Sequence, residues 1–166
     1  MKSHLSEFIE LMKRENLDEI VIRTFSNYYR KLLAGSTGKL SESEISPPDN
    51  VIDYYSLKDS DSALLDKLAV IKLNGGLGTS MGLKKAKSLL RVKGEYNFLD
   101  IITLQVLHLR KSSGRNIPLL FMNSFNTRED TLSYLKKYPE LSLPELPLDF
   151  IQSKFPKILQ KGLSPL

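Results

Sequence analysis

Apolar residues recur at helical spacing from the first turns of the chain. Leu5, Phe8, Ile9 and Met12 form one stripe and Leu17, Val21, Phe25, Tyr28 and Leu32 a second, with Asn16 between them. This predicts two helices, the second ended by Gly35-Ser36-Thr37-Gly38. Residues 41–50, with Pro47-Pro48, read as an extended linker. The period then changes. After a short helical stretch near 62–66, Leu68-Ala69-Val70-Ile71-Lys72-Leu73 is a mostly apolar run that stops at Asn74-Gly75-Gly76-Leu77-Gly78, as a buried strand entering a glycine turn does. A helix over 99–111 closing near Gly114, a strand over 117–122, a helix opening at Thr127 and running to about 138, and a third strand over 148–151 complete the pattern. Strands alternating with helices predict an α/β fold with parallel strands.

The length, 166 residues, fits one ordinary domain, and 41% hydrophobic with 26% charged residues is a globular composition. No run approaches the roughly 20 apolar residues of a membrane helix, and Glu7, Glu10, Lys13 and Arg14 break up the N-terminus as no secretory signal is broken. The absence of cysteine excludes disulfides, thiolate metal sites and thiol nucleophiles. A soluble, cytoplasmic protein with neither membrane nor nucleic acid as a partner is the expectation.

Net charge is only +5, so its distribution is more informative than its size. Residues 84–93 hold Lys84, Lys85, Lys87, Arg91 and Lys93 and no acid, whereas residues 53–66 are acidic. The basic run suits a small anionic ligand, or else a solvated helix face. Just ahead of it, Gly75, Gly76, Gly78 and Gly82 give four glycines in eight positions. Such a loop after a strand lets backbone N–H groups approach a phosphate or a base edge. The competing reading is a tight turn whose glycines serve geometry alone. A Walker A loop does not fit, because Ala86 precedes Lys87-Ser88 and Met81 holds the outer glycine position. The dinucleotide fingerprint is one residue too long across Gly76, Gly78 and Gly82. Elsewhere, His4 is expected exposed and His108 structural. Glu129 and Asp130 suit a helix N-terminus. Asn123 and Ser124 either shape a pocket or support a turn.

Lys72-Leu73-Asn74-Gly75-Gly76-Leu77-Gly78-Thr79-Ser80-Met81-Gly82, followed by Lys87-Ser88-Leu89, closely resembles the signature of eukaryotic-type UDP-glucose pyrophosphorylases, the UTP–glucose-1-phosphate uridylyltransferases. The resemblance continues through Phe98-Leu99-Asp100, Pro118-Leu119, Met122-Asn123-Ser124-Phe125-Asn126-Thr127 and Gln152-Ser153-Lys154-Phe155-Pro156-Lys157-Ile158, so that it covers about 45–160. Related UDP-N-acetylhexosamine enzymes usually carry Arg where Ser80 stands, which favours the glucose branch. Pro is usual where this chain has Ala86, a departure at the approach to Lys87.

The resemblance implies an α/β, Rossmann-like nucleotidyltransferase (GT-A-like) core, here incomplete, with an N-terminal helical extension. It divides the chain into that extension and linker over 1–45 and the N-terminal portion of the nucleotidyltransferase domain over 46–166. It also implies UTP binding by Leu73, Asn74, Gly75, Gly76, Lys87 and Gln152, with Lys87 catalytic and Gln152 on the uracil edge. UTP and glucose 1-phosphate would be the substrates. Mg²⁺ would be the cofactor, its Asp ligand lying, with the sugar-phosphate pocket and a second phosphate-binding Lys, downstream of residue 166. A sheet of about three strands would be left with an open edge and uncovered apolar faces. The alternative is a non-catalytic nucleotide-binding or assembly module that needs a complementing chain, with a homo-oligomer left open.

Overall fold

The structure, a computed structural model, describes residues 3–58 and 61–166, and at Ser80 the backbone alone. It divides into two units, Met1–Leu57 with Ser153–Leu166, and Lys58–Gln152.

In the first unit, α1 (Leu5–Arg14) and α2 (Glu19–Leu33) pack through Phe8, Met12, Phe25 and Tyr29. Asn16, at φ 53°, makes the left-handed step between them, a conformation asparagine tolerates. Gly35, at φ 84°, ends α2 as expected. The buried face of α2 differs by one position from the predicted stripe: Tyr29 is buried and Tyr28 is exposed. The reason lies at the other end of the chain. Tyr29 Oη donates to Leu163 C=O at 2.8 Å and accepts from His4 N–H at 3.2 Å. Phe155 stacks on Phe25, and Ile158 and Leu163 pack against the cluster. Residues 153–166, placed with the α/β body in the sequence reading, thus pack on the N-terminal helices. His4 is half-buried rather than exposed, its Nδ1 2.8 Å from Glu7 Oε1.

In the second unit, β1 (Val70–Asn74), β4 (Leu119–Asn123) and β5 (Asp149–Ile151) form a parallel sheet in the order β1-β4-β5, in register from Val70 opposite Leu119 to Asn74 opposite Asn123. Between β1 and β4 the chain makes a small exposed hairpin of β2 (Arg91–Lys93) and β3 (Tyr96–Asn97), which turns at Gly94 (φ 56°) and leads into α3 (Phe98–Ser113). Helix α4 (Arg128–Leu135) connects β4 to β5. Leu119 and Phe121, at alternate positions of β4, meet Leu99 and Val106 of α3 and Leu135 of α4, so both helices cover one face of the sheet. On β1, Ile71 and Leu73 are exposed.

Helix α3 begins at a capping box, with Asp100 N–H on Asn97 Oδ1 at 3.0 Å and Asn97 N–H on Asp100 Oδ2 at 2.9 Å, and closes at Gly114 (φ 68°). The Asp100 carboxylate is fully buried and does more than cap. Tyr134 Oη and Tyr138 Oη donate to it at 2.7 Å each, and Lys137 Nζ lies 2.6 Å from it. Burial alone would raise this carboxyl; the Lys137 ammonium, the Asn97 N–H and the two phenols reverse that and hold it at about 2. Burial and the Asp100 charge push Tyr138 up to about 12. Helix α4 ends earlier than predicted, before Pro139. His108, expected to be structural, faces solvent. The acidic segment caps turns: Asp53 Oδ1 accepts from Tyr55 N–H and Asp61 Oδ1 from Ala63 N–H, while Asp66 pairs with Arg115 at 3.0 Å.

Candidate functional site

The glycine loop leaves β1 from a locked end. Asn74 Nδ2 donates to Asn123 Oδ1 at 2.7 Å and to Thr131 Oγ1 at 2.8 Å, and its carbonyl accepts from Thr127 Oγ1 at 2.7 Å. Asn123 Nδ2 in turn donates to Asp149 Oδ2 at 3.1 Å, and Arg128 closes the chain as a two-point ion pair with Asp149 at 2.8 and 3.2 Å. Burial would raise the Asp149 carboxyl, but Arg128 and Asn123 hold it below the usual carboxylate range. The C-terminal ends of β1 and β4, the first residue of β5 and the start of α4 are therefore one polar knot. Of the two readings open for Asn123 and Ser124, this geometry supports the turn: Ser124 N–H donates to Thr127 Oγ1 at 2.9 Å.

From that anchor Gly75 runs beneath Gln152. A Cβ at residue 75 would lie 2.2 Å from Gln152 Oε1, so only glycine admits the amide at this distance. Gln152 is itself fixed by the sheet, because its N–H donates to Asn123 C=O at 2.8 Å one step beyond β5. Next, the loop closes on itself. Lys87 N–H donates to Gly76 C=O at 3.0 Å, Leu77 bridges to Ala86, and Gly78 N–H donates to Lys85 C=O at 3.3 Å. Leu83 fills the inside of the loop: a Cβ on Gly78 would meet its Cδ1 at 2.5 Å. This neck delivers Lys87 to Gly76 across the length of the loop. Ala86 stands at φ −51°, ψ 131°, within the range proline fixes, so the departure at this position leaves the backbone path to Lys87 intact.

Beside the neck lies a cavity of about 360 Å³ walled by Lys72, Leu73, Asn74, Gly76, Lys87, Ser88 and Phe98. Two of these are cations and none is an acid. Among the described residues neither lysine is in an ion pair. Of the residues named from sequence, Leu73, Asn74, Gly76 and Lys87 share this cavity. Gly75 and Gln152 meet each other, and Gln152 is not in the cavity wall. The Asn74 side chain and its carbonyl are both engaged inside the knot. Lys84 and Lys85 are exposed on the loop, and Arg91 pairs with Glu95 across the β2–β3 turn. The side chain of Ser80 lies outside the described residues. Sequence reasoning passed over Lys72, Ser88 and Phe98 as site residues, although all three fall inside the quoted motifs.

No group of three or more His, Cys, Asp or Glu among the described residues is placed to hold a metal ion, and the cavity wall carries no carboxylate. The cavity wall thus offers no carboxylate ligand for Mg²⁺. Among the described residues no helix is long and apolar enough to cross a membrane.

The family model for UTP–glucose-1-phosphate uridylyltransferase matches residues 22–166. The Musa acuminata uridylyltransferase is 39% identical over 150 residues, which are 86% of this chain and 32% of that protein. The probable uridylyltransferase of Schizosaccharomyces pombe is 37% identical over 145 residues, 86% of this chain and 28% of the relative. A mutant UDP-glucose pyrophosphorylase of Leishmania major, solved in complex with UDP-glucose, superposes with a TM-score of 0.90 at 38% identity over 100% of this chain and 35% of its own. The Trypanosoma brucei UDP-glucose phosphorylase gives 0.86 at 35% identity over 99% and 36%. This chain spans about a third of the length of these relatives. Its parallel sheet and glycine loop are those of their nucleotidyltransferase fold, and the chain belongs to the UTP–glucose-1-phosphate uridylyltransferase family.

Proposed function

We propose that this chain is the UTP-binding portion of a uridylyltransferase that forms UDP-glucose and pyrophosphate from UTP and glucose 1-phosphate. One observation carries the reading: the same loop holds Gln152 against Gly75 and ties Lys87 to Gly76. A primary amide both donates and accepts, which matches the alternating edge of a pyrimidine. The loop backbone would lie along the base, and the Lys87 ammonium would reach the α-phosphate. In the reaction a phosphate oxygen of glucose 1-phosphate bonds to the α-phosphorus in line. The α–β bridging bond breaks, and its electron pair leaves on pyrophosphate. Such a step depends on alignment and on neutralising the charge that develops, and a fixed lysine contributes to both.

Titration calorimetry on the purified chain tests this. UTP should bind more tightly than ATP, and Gln152→Ala should erase the preference. Equal affinities for UTP and ATP in the unaltered chain would sink the uracil reading. Turnover of UTP and glucose 1-phosphate separates enzyme from binding module: binding without UDP-glucose formation by 1–166 alone is expected, and robust formation would show that the chain suffices.

A further inference from the structure

Two buried hydroxyls among the described residues lack a hydrogen-bond partner, Ser88 Oγ and Thr103 Oγ1. Thr103 lies midway along α3 in the core. Ser88 is different, because it walls the cavity beside Lys87 and is only 8% exposed. An idle buried hydroxyl is costly, and a serine reorients it by a single χ1 step. The same cavity is walled by Lys72, on β1 two positions before the locked Asn74, its backbone paired opposite Phe121 in the sheet. Among the described residues, Lys72 and Lys87 thus bring two cations without an ion-pair partner, and Ser88 a buried hydroxyl without a hydrogen-bond partner, to a space whose wall has no acid.

We propose that Lys72 and Ser88 seat the outer phosphates of the nucleotide, while Lys87 serves the α-phosphate. This rests on the nucleotide reading above and adds two binding residues to it. The ligand chemistry is a pyrophosphate group, whether as the β,γ-tail of UTP or as the free anion. Charge-assisted donors are the strong ones for phosphate oxygens, and a fixed pair on two elements selects a polyphosphate over a monophosphate.

Calorimetry with UTP, UMP and pyrophosphate on the unaltered 166-residue chain and on Lys72→Gln, Ser88→Ala and Lys87→Ala separates the possibilities. Lys72→Gln should weaken UTP and pyrophosphate roughly tenfold, and Ser88→Ala by about fivefold, with UMP unchanged for both. Lys87→Ala should weaken UMP as well as UTP. Ser88→Ala should also raise the melting temperature of the ligand-free chain, since alanine leaves no buried polar atom unpaired. Lys72→Gln or Ser88→Ala that weakens UMP as much as UTP, or leaves UTP and pyrophosphate untouched, overturns the assignment for that residue. A loss of UTP affinity with no loss for pyrophosphate overturns it too, as does a lowered ligand-free melting temperature for Ser88→Ala. If instead the unaltered chain binds ATP as tightly as UTP while the Lys72 and Ser88 effects hold, the phosphate seat stands and the uracil reading falls. If it binds none of the three ligands, both fall.

Discussion

One methyl group at residue 75 would put a carbon 2.2 Å from Gln152 Oε1, and the glutamine side chain is the softer partner. Gly75→Ala should therefore act by expelling the Gln152 amide rather than by straining the backbone. The prediction is a coupled pair: Gly75→Ala and Gln152→Ala each weaken UTP by a few-fold, and Gly75→Ala adds almost nothing once Gln152 is alanine. A double-mutant cycle by calorimetry reads this directly, and additive losses would mean that the two residues act separately. The same detail marks the limit of sequence reading at this scale. Glycine density and a basic run point to a ligand loop, but nothing in the one-dimensional pattern says that residue 152 returns over residue 75. Only the resemblance brought Gln152 forward, and the sheet register explains its position: β5 ends at Ile151, one residue earlier.

At the scale of elements, the apolar runs of β1 and β4 and the glycine that ends α3 were legible because each is long or punctuated. The β2–β3 hairpin was not, being short and exposed with no alternation to betray it. Nor was the role of Asp100. It reads as one acid in a helix's first turn, and becomes a tie between α3 and α4 only when Tyr134, Lys137 and Tyr138 close on it. Its pKa gives the tie a pH signature. In the folded chain the carboxyl titrates at about 2, against roughly 3.9 when unfolded. The group's contribution is therefore complete above about pH 4 and is lost as pH falls toward 2. Asp100→Asn should lower unfolding free energy at neutral pH by about 1–3 kcal/mol. The gap between variant and unaltered chain should narrow between about pH 4 and pH 2. Urea unfolding at stepped pH measures it, and a gap constant across that window would contradict the assignment.

At the scale of the whole molecule, the unit that contains α1 and α2 is discontinuous in sequence: its N-terminal part is completed by Ser153–Leu166, and the α/β unit Lys58–Gln152 is inserted between them. Composition carries no trace of this arrangement, since residues 153–166 form no regular element and offer no periodicity to read. What holds the last segment is specific: the Phe155 ring on Phe25, the Lys154–Glu15 ion pair, and one half-buried bond spanning 134 residues from Tyr29 Oη to Leu163 C=O. Tyr29→Phe keeps the ring in the cluster and deletes the hydroxyl, leaving the Leu163 carbonyl and the His4 N–H without this partner, for a cost of about 1 kcal/mol per lost bond. The effect should be local. Backbone amides of 158–166 should exchange faster with deuterium, while those of β1 and β4 keep their protection, because the sheet owes nothing to this bond. Tyr28→Phe is the control, since Tyr28 is exposed and its neighbour Tyr29 carries the contact. Equal exchange in the two variants would show that stacking alone fixes the C-terminal segment, and faster exchange throughout both units would show that the bond supports the whole chain.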